Sequence, residues 1–281
     1  MRFAGSSSPT ASSSRTSPTA PAGGSDSSPD LLYGLHAVRE ALRANARPLQ
    51  RLLVLRSDRQ FADLVQLARV RHVPVHIEPQ AAFDRLVPGG KHQGVIAFVA
   101  AKAYSSTEDI LQRAKERGEP PFLVLLDGVG DPHNLGAVLR TAEAAGVHGV
   151  FIPERRTVGL TSVVAKVSAG ALDHILVSRV GNLARLIEDL KKVGVWVYAV
   201  EPSAQKQVTQ LDFSGPVALV FGGEGQGVRP GVLQHCDDRV SIPMKGKVES
   251  LNVSAAAAVT LFEVVRQRGE SESRTTQPSE S

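Results

Sequence analysis

The chain has 281 residues, 42% hydrophobic and 21% charged, with 32 Lys and Arg against 28 Asp and Glu for a net charge of +4. At ~150 residues per domain that length predicts about two domains, and the composition excludes wholesale disorder while the basic lean points to an acidic partner. The single cysteine, Cys236, rules out an intramolecular disulfide or a thiolate metal cluster and fits a reducing compartment, and no apolar run approaches the ~20 residues of a membrane span.

Residues 1–30 hold ten Ser, four Pro, three Thr and three Gly, too little apolar surface to offset the entropy of ordering, and read as a disordered tail. Arg2, Arg15 and the lack of an acid before Asp26 leave an organellar transit segment as the alternative to a bacterial cytoplasmic protein. Residues 31–101 alternate helix and strand: a helix over 33–45, strands at RLLVLR (51–56), PVHIE (74–78) and VIAFVA (95–100), helices over 61–71 and 80–86, and a PGGKHQG loop. Residues 31–100 carry ten Lys or Arg against five acids, so the basic excess sits in this small domain and suits a surface that meets phosphates. A polar connector over 102–120, helical from Ser105 to Arg117, leads to the second domain, 121–268, and the Ser/Glu/Thr-rich stretch 269–281 reads as another tail.

In the second domain FLVLLD (122–127), GVFIP (149–153), ILVSR (175–179), VWVYAV (195–200) and VALVF (217–221) are near-continuous apolar runs, the pattern of parallel strands buried on both faces. Helices are predicted over 134–145, 161–172 and 183–193, which makes the fold class α/β: a small αβ domain followed by a parallel-sheet α/β domain. Trp196 reads as a core strand residue and Cys236 as a packing residue or inert thiol. The eight histidines show no metal-ligand spacing.

Three stretches carry chemistry. In DGVGDPHNLGAVLRTAEAAG (127–146), Leu135, Val138, Leu139, Ala142 and Ala145 form a buried stripe, and Asn134 and Arg140 are expected to face one crevice at the strand's C-terminal end. Asn134 as a mere helix cap and Arg140 as a solvated side chain remain open. FGGEGQGVRP (221–230) places Gly222, Gly223, Gly225 and Gly227 where positive φ or close backbone approach is expected, with Glu224 a local backbone partner. In SIPMKGKVESLNVSAAAAVTLFEVV (241–265), Ser250 and Asn252 precede a helix whose Ala255–Ala258 run reads as buried on all sides, in a core or a subunit interface.

Each block is ambiguous alone, but NLGAVLR, GGEGQG and IPMKGKVESLNVS, in that order, resemble the SpoU (TrmH-like) family of RNA ribose 2′-O-methyltransferases in the SPOUT superfamily, with no departure at the positions those patterns fix. The unit that begins LLYGLHAVREAL and closes KHQGVIAFV is similar to the ribosomal-protein-like substrate-binding domain of the branch that acts on 23S ribosomal RNA. The resemblance implies a trefoil knot formed after Val217, a homodimer, and S-adenosylmethionine held by Gly222, Ile242 and Leu251 with Gly223 and Gly227. It also implies catalytic roles for Arg140, Asn134, Ser250 and Asn252, with no metal, no DNA and no membrane involved. A guanidinium stays protonated in proteins, so Arg140 is expected to orient a phosphate and stabilise the developing alkoxide rather than act as base. The expected substrate is a guanosine of 23S rRNA. Transfer RNA, or a non-catalytic RNA-binding role on the same fold, is the alternative.

Overall fold

The structure, a computed structural model, describes residues 30–44, 47–55, 59–100 and 102–276; the Ser/Pro-rich N-terminal stretch before them lies outside the described residues. The first unit comprises β1 (Asp30–Tyr33), α1 (Leu35–Ala44), β2 (Leu49–Val54), α2 (Ala62–Val70), β3 (Val75–Ile77), α3 (Gln80–Leu86) and β4 (Val95–Val99). The second runs from α4 (Thr107–Arg117) through β5 (Phe122–Asp127), α5 (Pro132–Ala144), β6 (Gly149–Pro153), α6 (Ser162–Val167), α7 (Ala171–His174) and β7 (Leu176–Val180). It continues with α8 (Leu183–Lys192), β8 (Trp196–Val200), β9 (Lys206–Gln207), β10 (Val217–Gly222), α9 (Pro230–Leu233), β11 (Asp238–Ser241) and α10 (Val253–Thr276).

The small sheet has the order β1-β4-β2-β3, with β4 antiparallel to both neighbours and β2–β3 parallel. Alternation along β2 and β4 sends Leu52, Val54, Val95 and Ala97 to the side of α1 and α2, and Leu53, Ile96 and Phe98 to the side of α3, where they meet Phe83. Strand β1 was not read from the sequence: three apolar residues show no period, and only antiparallel pairing with β4 makes them a strand.

The large sheet has the order β7-β6-β5-β10-β8-β11-β9 with every pairing parallel, which is the expected α/β class. Its strands β5, β6 and β10 are buried on both faces because helices cover both: α5, α6 and α10 on one side, α4, α8 and α9 on the other. Four expectations change. The segment 102–120 is no free linker, because a capping box between Ser106 and Asp109 starts α4 and its Ile110 and Ala114 are fully buried, Ile110 against Gly149. The predicted helix over 161–172 splits into α6 and α7 at Ala169 and Gly170, both with positive φ (52° and 97°). Trp196 is 58% exposed rather than core, since β11 pairs with β8 only from Tyr198 onward and leaves Trp196 stacked on Tyr198 past the covered region. The predicted C-terminal tail is helical at its start: α10 continues past Gly269, and Arg266 bridges Glu263 and Glu270 at helical spacing.

The two units share a seam. Arg47 after α1 and Asp173 of α7 form a salt bridge at 2.7 Å with both side chains almost fully buried, and the apolar core runs continuously from β1, α1 and α2 into α5, α6 and α7. No described helix is long and apolar enough to cross a membrane, and no cluster of metal-ligating side chains occurs among the described residues.

Candidate active site

The C-terminal ends of β5, β8 and β10, the middle of the large sheet, are where an open parallel sheet presents a crevice. There β10 runs into Gly222, and the next residues turn back on themselves, with Gly223 and Gly227 bridged. The four glycines serve two purposes. Gly225 and Gly227 adopt positive φ (84° and 62°), as the turn requires. Gly222 and Gly223 are needed for space: a Cβ on Gly222 would lie 1.9 Å from the Gly227 carbonyl carbon, and one on Gly223 would lie 2.1 Å from the Gly128 oxygen.

Two carboxylates hold this loop in place. Asp127, buried at the end of β5, accepts from the Arg229 backbone N–H (2.8 Å) and Nε (2.8 Å), while its backbone oxygen accepts from Gly223 N–H (2.8 Å). Glu201, just past β8, accepts from Val228 N–H at 2.9 Å. Sequence reading missed both roles, although each is an acid at the C-terminal end of an apolar run.

The loop borders a cavity of about 560 Å³, a volume typical of cofactor sites, lined by Val200–Pro202, by Phe221 to Gly227, and by Ile242, Met244 and the 249–253 segment. All five residues expected at the cofactor, Gly222, Gly223, Gly227, Ile242 and Leu251, line it, as do Ser250 and Asn252. Aliphatic walls beside unobstructed loop backbone suit a nucleoside, and Glu201 and Glu224 suit a cationic sulfonium, so the residues present fit S-adenosylmethionine.

At the cavity rim three side chains from three distant blocks converge. Asn134 Nδ2 donates to Glu224 Oε1, and Asn252 Nδ2 donates to Asn134 Oδ1 (3.1 Å) and Glu224 Oε1 (3.4 Å). Asn252 Oδ1 also accepts from Ser254 N–H (2.9 Å) and so caps α10, joining the structural role to the polar one. Asn134 is not the cap of α5; Asp131 is, through His133 N–H. Glu224, read from the sequence as a local backbone partner, is the hub of the cluster.

Arg140 does not join it. Six residues advance a helix by about 240°, so with Asn134 buried toward Glu224, Arg140 of the same helix points elsewhere. It is exposed, off the cavity lining, and without a hydrogen bond or ion pair among the described residues. The shared crevice expected for Asn134 and Arg140 is therefore absent within one chain. The predicted stripe Leu135, Val138, Leu139, Ala142 and Ala145 is buried as expected, and Gly136 lets α5 approach α6, where a Cβ would lie 2.6 Å from Val167 Cβ. Helix α10 is one-sided rather than buried all round: Ala257, Leu261 and Val264 face the core, while Ala255, Val259, Phe262 and Val265 are exposed.

The fold and this site define an α/β protein with a nucleoside-sized pocket at the C-terminal edge of a parallel sheet, preceded by a smaller basic αβ unit. Residues 121–262 match the SpoU rRNA Methylase family and residues 31–105 match the family described as RNA 2′-O ribose methyltransferase substrate binding, and the chain belongs to the SpoU family. Among curated relatives it is 41% identical over 242 residues to the 23S rRNA (guanosine-2′-O-)-methyltransferase RlmB of Yersinia pestis, covering 85% of this chain and 98% of that one. It is 43% identical over 240 residues to RlmB of Ralstonia nicotianae, covering 85% and 96%. Among solved structures it resembles the SpoU methyltransferase AviRb of Streptomyces viridochromogenes in complex with AdoMet, with TM-score 0.73, 25% identity, and coverage of 85% and 89%.

Proposed function

We propose that this chain transfers a methyl group from S-adenosylmethionine to a ribose 2′-hydroxyl of ribosomal RNA, with a guanosine of 23S rRNA as the target. The observation that carries this reading is the Asn134–Glu224–Asn252 cluster at the rim of a nucleoside-sized cavity, assembled from three separate sequence blocks. The relatives that span nearly their whole length with this chain, and act on 23S rRNA, support the substrate.

Bound there, S-adenosylmethionine supplies an already activated methyl group; the chain supplies position and a route for one proton. Both amide bonds to Glu224 land on Oε1, which leaves Oε2 to accept the hydrogen of an incoming 2′-hydroxyl. Asn134 and Asn252 keep that carboxylate turned to the cavity, and Ser250 lines the entrance beside them. Arg140 orients an RNA phosphate and stabilises the alkoxide as it develops, and its exposure on α5, off the cavity of its own chain, supports a reading in which it acts in the site of a second copy. The exposed apolar row Val259, Phe262 and Val265 on α10 supports such a homodimer.

The test is to incubate the protein with labelled S-adenosylmethionine and unmodified ribosomal or transfer RNA and map the methylated ribose. Label in 23S rRNA is expected; label in transfer RNA alone would replace the substrate, and no labelled RNA would leave a binding protein. Arg140→Ala and Glu224→Gln are each expected to lose at least about a hundredfold in rate with cofactor affinity near normal, the scale of removing one positioned charge or proton acceptor. Mixing the two inactive variants restores activity if Arg140 acts across a dimer and leaves it absent if Arg140 acts within its own chain.

A further inference from the structure

The loop that follows β6, residues 154–161, carries Arg155 and Arg156, both exposed and without a carboxylate partner among the described residues. Arg156 holds φ at 63°, a conformation that side chains with a Cβ rarely adopt and that persists only where surroundings impose it. The surroundings are visible: Thr157 Oγ1 (2.8 Å) and Val158 N–H (3.2 Å) both donate to Val129 O, and the Arg156 carbonyl oxygen lies 4.0 Å from where a Gly128 Cβ would be. Gly128 is in turn in backbone contact with Gly223, so Arg156 stands one backbone layer from the cofactor loop. The one acid of the loop, Glu154, holds its carboxylate against Gly181, where a Cβ would lie 3.7 Å from its Oε2.

The same segment runs on into α6, whose Lys166 places its Nζ 4.3 Å over the Tyr33 ring of the other unit. A Cβ on Gly90 would meet Tyr33 Cε2 at 3.2 Å, so the loop that bears Lys91 lies against the same ring. That loop is pinned: buried His92 accepts from Gly94 N–H at 3.1 Å, and Gln93 Oε1 accepts from Leu35 N–H at 2.9 Å, while Lys91 remains exposed. Burial, with the charge of Lys91 nearby, pushes the Lys166 ammonium below its ordinary range.

We propose that Lys91, Lys166, Arg155 and Arg156 form a track for the RNA phosphate backbone, which crosses the seam at Tyr33 and reaches the cavity past Gly128. The track rests on the RNA methyltransferase reading and adds where the strand lies. Phosphate contacts position a strand without reading its sequence, so the track sets affinity and register while base choice resides elsewhere.

The test measures binding of an unmodified ribosomal RNA transcript against salt concentration, with cofactor affinity and melting temperature recorded for each variant. In Lys91→Gln/Lys166→Gln and in Arg155→Gln/Arg156→Asn, the slope of log affinity against log salt is expected to become shallower by roughly 1.4 to 1.8, from about 0.7 to 0.9 per lost phosphate contact. Asparagine tolerates the left-handed backbone at 156, which separates charge loss from strain. Lys91→Arg/Lys166→Arg is expected to keep the slope, and Lys91→Gln alone, on an exposed side chain, should lower it by one contact even if the Lys166 variant is unstable. Unchanged slopes in a protein that still methylates RNA overturn the track alone. A wild-type protein that neither binds nor methylates RNA overturns the track together with the reading beneath it.

Discussion

Around the small sheet, residues 31–100 carry ten cations to five acids, and Lys91 faces outward without a carboxylate partner. At the C-terminal edge of the large sheet the arrangement is reversed: Asp127, Glu201 and Glu224 gather there, each engaged by backbone amides or side-chain amides of the cofactor loop and its neighbours. One end of the molecule works by accumulated charge, which tolerates shifts of an ångström; the other works by backbone contact at van der Waals distance, which does not. Single substitutions should therefore be graded and salt-dependent at the first and close to all-or-none at the second.

The largest effect on cofactor binding is expected at Gly222. The methyl of Gly222→Ala would fall within 2.3 Å of three backbone atoms of Gly227 and Val228, so the loop must move. Calorimetric titration should show cofactor affinity reduced by tenfold or more, about 1.4 kcal/mol; near-normal binding would mean the loop is pliable and that the contrast between the two ends is false.

Asp173→Ala addresses the joint between them. It strips the carboxylate from a buried guanidinium and is expected to destabilise the protein by about 3–5 kcal/mol, read as a lower urea midpoint, whereas the half-exposed Glu40–His174 pair at 3.8 Å should contribute less than about 1 kcal/mol. For the same reason, deleting residues 1–100 is a poor way to separate the units, since it bares Asp173 and one side of the shared core. A small Asp173→Ala effect would show that the units are only loosely coupled.

The smallest effect concerns His148, fully buried beneath the start of β5. Its Nδ1 accepts from Phe122 N–H (3.0 Å), so the ring proton sits on Nε2 and is donated to Glu119 (3.0 Å). Burial lowers its pKa below 6.5 against the opposing pull of Glu119. The unfolded chain then binds the proton more readily, so this contribution to stability is complete above pH 6.5 and is lost as the pH falls through the lower folded value. In denaturation midpoints taken from pH 7.5 down to 5, His148→Gln should show a shallower decline than wild type; parallel curves would remove His148 from the account.

How much of this was legible beforehand follows the range of the interactions involved. The boundaries of β5 and β6 could be read to the residue, because a buried parallel strand is a continuous apolar run and hydrophobicity is local information. The residues expected at the cofactor came from motif order, and all five line one cavity. Trp196 was misread because its exposure depends on where a strand forty residues later begins to pair. The expected crevice shared by Asn134 and Arg140 failed because helical phase, not proximity in sequence, decides which way a side chain points.

The amino-acid sequence by itself determined the α/β class and the concentration of basic charge in the first unit, since periodicity and composition act over a few residues, and the order of its three motif blocks carried the family resemblance. Only the tertiary structure decided that Glu224 is the hub for Asn134 and Asn252, that Asp127 and Glu201 hold the loop, that α4 belongs to the catalytic sheet, and that Arg47 and Asp173 lock the two units together. Each of these joins residues from 27 to 126 positions apart. Contacts of that range are set by packing the whole chain, and no local pattern in the sequence announces them.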